Sequence, residues 1–184
     1  MPKDHDWRNA LIEGLERLRD GDNRGALAVL RRALQRDPGQ DAEVFRYVMP
    51  YLPSSVDPST EETAFLTASL FADHPAKGGT GNLGAAFRRL AAAGKAKPTD
   101  PIPESVERRF TALLNTETED LQHHLRHAIK LLRSAEVPVD WRQLLRDLLY
   151  WNHPEGFVQR NWAREFWGSS RRENGSTEPA DTAE

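Results

Sequence analysis

The sequence contains no cysteine, which excludes disulfide bonds and thiolate metal sites. No apolar run approaches the ~20 residues that a membrane-spanning helix needs. The first ten residues, MPKDHDWRNA, lack the apolar core of a signal peptide. These absences predict a cytoplasmic protein with no membrane partner.

Residue patterns that carry catalysis are also missing. There is no cysteine nucleophile, no nucleophile-elbow serine and no obvious pair of loop carboxylates. His123 and His127 lie one helical turn apart, with Glu119 one turn earlier and His124 beside them, a spacing at which two imidazoles can share a zinc ion. The internal glutamate of a protease helix and a distant third ligand are absent, and a polar helix face is the other interpretation. We therefore predict a protein that is not an enzyme and that uses no metal and no cofactor.

The chain has a small net charge, but its charged residues are unevenly distributed along the sequence. The whole sequence carries −3, whereas residues 75–172 hold 16 basic and 11 acidic side chains, a local +5. Residues 1–74 carry −4, and so does the segment 173–184, which has no basic residue. Because the local field governs contact with a polyanion more than the total charge does, the middle of the chain is the part that could bind nucleic acid.

Apolar residues recur at helical spacing through most of the 184 residues. This periodicity predicts an all-α fold, a single-domain helical bundle of about nine helices over residues 1–168, with a division into two lobes left open. The proline- and lysine-containing segment 94–103 is the candidate interlobe linker. Residues 169–184 have no apolar periodicity and are predicted to form a disordered acidic tail.

Four of the five tryptophans lie between residues 137 and 167. Asp140 is a suitable N-cap for an amphipathic helix that starts at Trp141, with an apolar side and a side that carries Arg142 and Arg146. Asn152 and Pro154 end this helix, and a second one follows with Arg160 exposed. The pattern alone is typical of a helical hairpin whose aromatic residues belong to the core and whose arginines are solvated.

The glycine-rich segment HPAKGGTGN, residues 74–82, leads directly into a predicted helix. Free backbone amides at a helix start favour phosphate oxygens, so this loop and Lys77 could grip a nucleic-acid backbone. No Gly-Lys-Ser/Thr follows, which argues against a nucleotide-hydrolysing loop. A plain mobile connector is the equally weighted alternative.

Several stretches, in the same order along residues 8–167, resemble the CasB family, the small subunit of the type I-E Cascade complex of CRISPR immunity. They are LLRSAEVPVDWRQLLRDLLYW with a closing WAREFW, FRYVMPYLP at 45–53, GTGNLGAAFRRLAAAG at 79–94 and ERRFTALLN at 107–115. Members of that family often carry a basic residue directly after the Leu-Gly pair, where this chain has Ala85, and Arg88 and Arg89 follow one turn later.

The resemblance implies a non-catalytic subunit that binds the backbone of guide RNA and target DNA without sequence choice and stabilises the R-loop. Its implied partners are other Cascade subunits, the guide RNA, the target DNA and a second copy of itself. The basic residues that we assign to this binding are Arg31, Arg32, Lys77, Arg88, Arg89, Arg108, Arg109, Arg126, Lys130, Arg133, Arg142, Arg146 and Arg160. Arg126, Lys130 and Arg133 form a predicted ridge on the longest helix, which could merge with the arginines of the helices before and after it.

A protein-binding scaffold is the rival hypothesis. The N-terminal helical pair, with ALAVLRRALQRDP at 26–38, is similar to one tetratricopeptide repeat. No second copy follows, and repeat folds need about three units to bury a continuous core.

Overall fold

The computed structural model describes residues 7–94 and 101–168, and within these ranges the chain is helical without a strand. The nine α-helices are α1 (Trp7–Asp20), α2 (Arg24–Ala33), α3 (Ala42–Val48), α4 (Pro58–Asp73), α5 (Leu83–Ala93), α6 (Glu104–Leu114), α7 (Thr118–Ser134), α8 (Trp141–Leu149) and α9 (Phe157–Trp167). A 3₁₀ turn, Met49–Tyr51, follows α3. The predicted all-α fold is confirmed.

Five helices begin at a side-chain cap that the sequence supplies. The side-chain oxygens of Asn23, Asp41, Asp57, Asn82 and Asp140 each accept a hydrogen bond from a backbone amide of the following first turn. Such caps satisfy donors that have no partner inside the helix, and each typically stabilises a helix by about 1 kcal/mol. The cap at Asp140 was predicted from the sequence.

One contiguous cluster of buried side chains joins all nine helices. Its centre is α4, in which every residue from Ala64 to Ala72 is buried. A helix that is covered all round must have neighbours on several sides, and α4 packs against α2, α3, α7, α8 and α1.

The α5–α9 contact is the most extensive between two helices and depends on a glycine. A Cβ atom on Gly84 would lie 2.0 Å from the carbonyl oxygen of Trp162, so only glycine permits this approach. Next to it, Phe110 of α6 packs on Phe87 and Phe166, with ring centroids 5.0 and 4.3 Å away. These contacts hold α5, α6 and α9 together beside α7.

α2 begins directly after its cap residue, Asn23, and ends at Ala33. Met49 is exposed in the 3₁₀ turn that contains Pro50. No helix in the described ranges is long and apolar enough to cross a membrane. Most of the candidate linker 94–103 and the whole tail 169–184 lie outside the described residues.

Candidate nucleic-acid interface

Five of the thirteen assigned basic residues are paired with carboxylates of the chain itself. Arg32 pairs with Glu43 at 3.0 Å and Lys77 with Asp20 at 3.0 Å. Together with Arg19, Lys77 lowers the pKa of Asp20 to about 2. The charges of these cations are partly neutralised locally, so they contribute less to a surface field.

Arg31 and Arg133 converge on the C-terminal end of α4. Arg31 donates two hydrogen bonds to the carbonyl oxygen of Ala72, at 3.1 and 2.9 Å, and lies 3.9 Å from Asp73. Arg133 binds both the carboxylate and the carbonyl oxygen of Asp73. Cations at the C-terminus of a helix stabilise it through the helix dipole, so these two arginines have a structural task.

Arg142 lies against α1 rather than beside α7. Its guanidinium donates two hydrogen bonds to the carboxylate of Glu16, at 3.1 and 2.8 Å, and Glu13 is 3.9 Å away. The bond to Glu16 raises the pKa of Arg142 above its ordinary value, with burial acting in the opposite direction. Since α8 packs on α4 and α1, the predicted merger of Arg142 with the basic residues of α6 and α7 was wrong.

Four further cations are bound to neutral oxygens. Arg88 donates to the carbonyl of Phe166 and Arg89 to that of Pro138. Arg126 and Arg146 donate to glutamine side chains, Gln35 and Gln143 respectively. These contacts hold each of the four side chains in place.

The remaining four assigned residues have no ion pair and no side-chain hydrogen bond within residues 7–94 and 101–168. They are Arg108, Arg109, Lys130 and Arg160, and all four are exposed. Arg109 of α6 and Lys130 of α7 line the same groove. These two cations are therefore the pair that the structure both brings together and leaves available.

The groove between α6 and α7, which we call the α6–α7 groove, has a volume of about 500 Å³. Ten described residues line it, none of them acidic: Phe87, Arg109, Ala112, His123, His124, His127, Ala128, Lys130, Leu131 and Ser134. Its lining includes the buried apolar residues Phe87 and Ala128, and its two charged side chains, Arg109 and Lys130, are both positive. An anion entering the groove would thus meet attraction without a lining carboxylate to oppose it.

The positive charges around the groove affect the pKa of His127. Although His127 is exposed, partial burial of its ring lowers its pKa, and the nearby charges of His123, Arg126 and Lys130 lower it further. An added anion in the groove would favour the protonated ring and so raise this pKa again.

The predicted ridge on α7 is divided between two sides of the helix. Arg126 contacts Gln35, which follows the end of α2, and Arg133 contacts Asp73 at the end of α4. Lys130 lines the α6–α7 groove instead. Spacings of four and three residues place the three side chains near one another, but the neighbouring helices give them different partners.

The glycine-rich loop 74–82 is attached to the body of the protein at several points. The buried His74 donates its Nε2 hydrogen to the carbonyl of Val137 over 2.7 Å. A Cβ on Gly79 would overlap the backbone at Val139. At the start of α5, Asn82 caps the amide of Ala85, and Gly84 is buried against α9. The amides that were expected to grip phosphate are in part used for capping and packing.

Within the described ranges, no group of three or more His, Asp or Glu residues is placed to hold a metal ion. His123, His124 and His127 instead line the groove. Sequence reasoning considered these histidines only as metal ligands or as a polar face. Their position opposite Arg109 could not be predicted, because it depends on how α6 packs on α7.

Comparison with known proteins identifies the family to which the chain is similar. Residues 26–167 match the sequence model of the CRISPR-associated protein Cse2 family. The chain belongs to this family. A Cse2 protein from Thermus thermophilus is 36% identical over 149 residues, which is 80% of this chain and 82% of the relative.

Solved structures agree with this assignment. CasB from Thermus thermophilus is 32% identical, with a TM-score of 0.72 over 88% of this chain and 97% of that one. A chain of a CRISPR RNA-guided surveillance complex in its pre-nicking state is 26% identical, with a TM-score of 0.73 over 92% of this chain and 98% of that one. The resemblance to CasB is confirmed, and the tetratricopeptide alternative is not favoured.

Proposed function

We propose that this chain is a non-catalytic small subunit of a type I-E CRISPR Cascade complex in the cytoplasm. In that complex it binds the backbone of guide RNA or target DNA without sequence choice and stabilises the R-loop. Its partners are other Cascade subunits, guide RNA, target DNA and a second copy of the chain. The observation that carries the proposal is the α6–α7 groove, where Arg109 and Lys130 stand without a carboxylate partner among the described residues.

Electrostatics suffice for this role. Opening a DNA duplex against a guide RNA is a nearly balanced exchange of base pairs, so a few phosphate contacts can shift it towards the open state. Each cation that neutralises a phosphate also releases a condensed counterion, which adds favourable entropy. The guide supplies the sequence information, and the subunit needs no contact with base edges.

The test is the salt dependence of nucleic-acid binding by the full-length subunit. We expect weak binding that falls steeply with salt. Reversing both cations, Arg109→Glu with Lys130→Glu, should lower the slope of log affinity against log salt by roughly 1.4 to 1.8, because each lost contact removes about 0.7 to 0.9.

A matched control changes the net charge by the same amount elsewhere. Arg46→Glu with Arg164→Glu alters two exposed arginines on α3 and α9 that lie outside the groove and have no ion pair among the described residues. This control should leave the salt slope nearly unchanged. An equal loss of slope in both double variants would mean that only the total charge matters and that the groove is not the binding site.

A further inference from the structure

The α6–α7 groove has a ring-lined side that phosphate binding does not use. The imidazoles of His123 and His127 lie with their centroids 4.4 Å apart and their planes at 61°, and His124 is 5.8 Å from His123. Phe87 also lines the groove, but its ring is buried and packs on Phe110. Cations alone would serve to bind phosphate, so the concentration of rings beside them calls for another ligand group.

The geometry of the rings suits a flat aromatic ligand. His123 and His127 are both exposed at the groove. In an edge-to-face pair, the ring that contributes its edge keeps both faces clear of the other ring. The exposed Ala112 and the buried Ala128 also line the groove. The groove volume of about 500 Å³ also falls in the range of roughly 300–1,000 Å³ that is usual for small-ligand sites.

We propose that the groove takes an unpaired base of single-stranded nucleic acid, stacked on one of the imidazoles of His123 and His127 while the other imidazole contacts the base with its edge. The neighbouring phosphate then lies against Arg109 or Lys130. This inference rests on the proposed function and specifies the form of nucleic acid that the site takes. A base inside a duplex cannot enter, because base pairs above and below cover its faces.

Charge favours this occupant over an apolar side chain of a protein partner. Proteins that bind single strands combine a positive groove with aromatic rings on which bases stack, and histidine is one of the residues that stack on bases. An apolar side chain would contact the apolar lining of the groove but would leave Arg109 and Lys130 without an anion. A nucleotide would contact the lining with its base and the two cations with its phosphate.

The experiment compares three probes on the full-length subunit at low salt and at about pH 8, where an ordinary imidazole with a pKa of ~6.5 is neutral. The probes are a single-stranded dT oligomer, an abasic oligomer of the same length that keeps the phosphates but lacks the bases, and a duplex. The main variant, His123→Ala with His127→Ala, removes both rings from exposed helix positions that tolerate alanine. His153→Ala removes an exposed ring outside the groove as the control.

We expect the double alanine variant to lose about five-fold to about 100-fold in affinity for the dT oligomer, the range that loss of a stacked base gives. Affinity for the abasic oligomer and for the duplex should hardly change. A further variant, His123→Phe with His127→Phe, should restore dT binding because a phenyl ring also stacks. His153→Ala should bind all three probes as the unaltered chain does.

The other outcomes separate this inference from the proposed function. Equal losses for dT and abasic oligomers, or failure of the phenylalanine rescue, would overturn base stacking and leave phosphate binding intact. Unchanged dT binding together with impaired assembly of the reconstituted complex would make the groove a protein-docking site and overturn the inference. If the unaltered chain bound none of the three probes, the proposed function would fail as well.

Discussion

Lys130 and Arg133 are three residues apart on α7, yet their side chains have different neighbours. Arg133 is held by the carboxylate and carbonyl of Asp73 at the end of α4, and Asp73 has only 16% of its side chain exposed. Lys130 is exposed at the groove without a partner among the residues that the structure describes. Arg133 therefore stabilises the fold, whereas Lys130 is available to a ligand, although the two residues are close in sequence.

Reversing each charge singly should reveal this difference. Arg133→Glu places a second carboxylate beside Asp73 and removes donors from the C-terminal end of α4, so we expect a loss of about 1 kcal/mol in the free energy of unfolding. Lys130→Glu should change it by no more than ~0.5 kcal/mol, as is usual for an exposed site. Urea denaturation measures both. Equal effects on stability would show that the ion pair with Asp73 contributes nothing specific.

At the scale of the element, the helix between Asp140 and Tyr150 shows how much the sequence could predict. The helical spacing of the apolar residues and the cap at Asp140 correctly predicted an amphipathic α8 and a following helix. Periodicity shows which residues of a helix are buried, but it does not show which helix covers them. For that reason Arg142 could be placed on the polar side of α8, while its contact with Glu16 of α1, 126 residues away, could not be predicted.

Asp147 is the polar link between α8 and α9. Its carboxylate accepts hydrogen bonds from the indole of the buried Trp162 at 2.7 Å and from Gln143 at 2.8 Å. Burial raises the pKa of Asp147 above its ordinary value, although both hydrogen bonds act to lower it. The folded protein therefore holds this proton more tightly than the unfolded chain does.

Two variants at this position test the link. Asp147→Ala should lower the free energy of unfolding by about 1–3 kcal/mol, because the indole N–H of Trp162 is left buried without an acceptor. Asp147→Asn keeps an acceptor and should be better tolerated.

The pH dependence of the asparagine variant follows from the sign of the pKa shift. A raised pKa in the folded state means that the contribution of Asp147 is fully present below its ordinary pKa and is lost as pH rises through the folded value. Asparagine does not titrate, so Asp147→Asn should gain stability relative to the unaltered chain between about pH 4 and about pH 7. Denaturation curves at both ends of this range measure the difference. A constant difference would contradict the raised pKa.

At the scale of the whole molecule, some basic side chains form ion pairs with carboxylates of the protein, and others are exposed at its surface. The sequence has a net positive charge in residues 75–172. It could not show that Arg31, Arg32 and Lys77 have carboxylate partners while Arg109 and Lys130 have none among the described residues, since each of these pairs joins two different elements of the fold. The candidate site is consequently smaller than the set of basic residues suggested.

The central claim is that the α6–α7 groove holds nucleic-acid backbone within the assembled complex. The most direct measurement is the affinity of a reconstituted Cascade complex for two unrelated target DNAs, each matched to its guide, with and without the double variant Arg109→Glu with Lys130→Glu. The variant should assemble normally and should bind both targets more weakly by the same factor, because phosphate contacts carry no base information. A normally assembled complex that held both targets as tightly as the unaltered one would contradict the account.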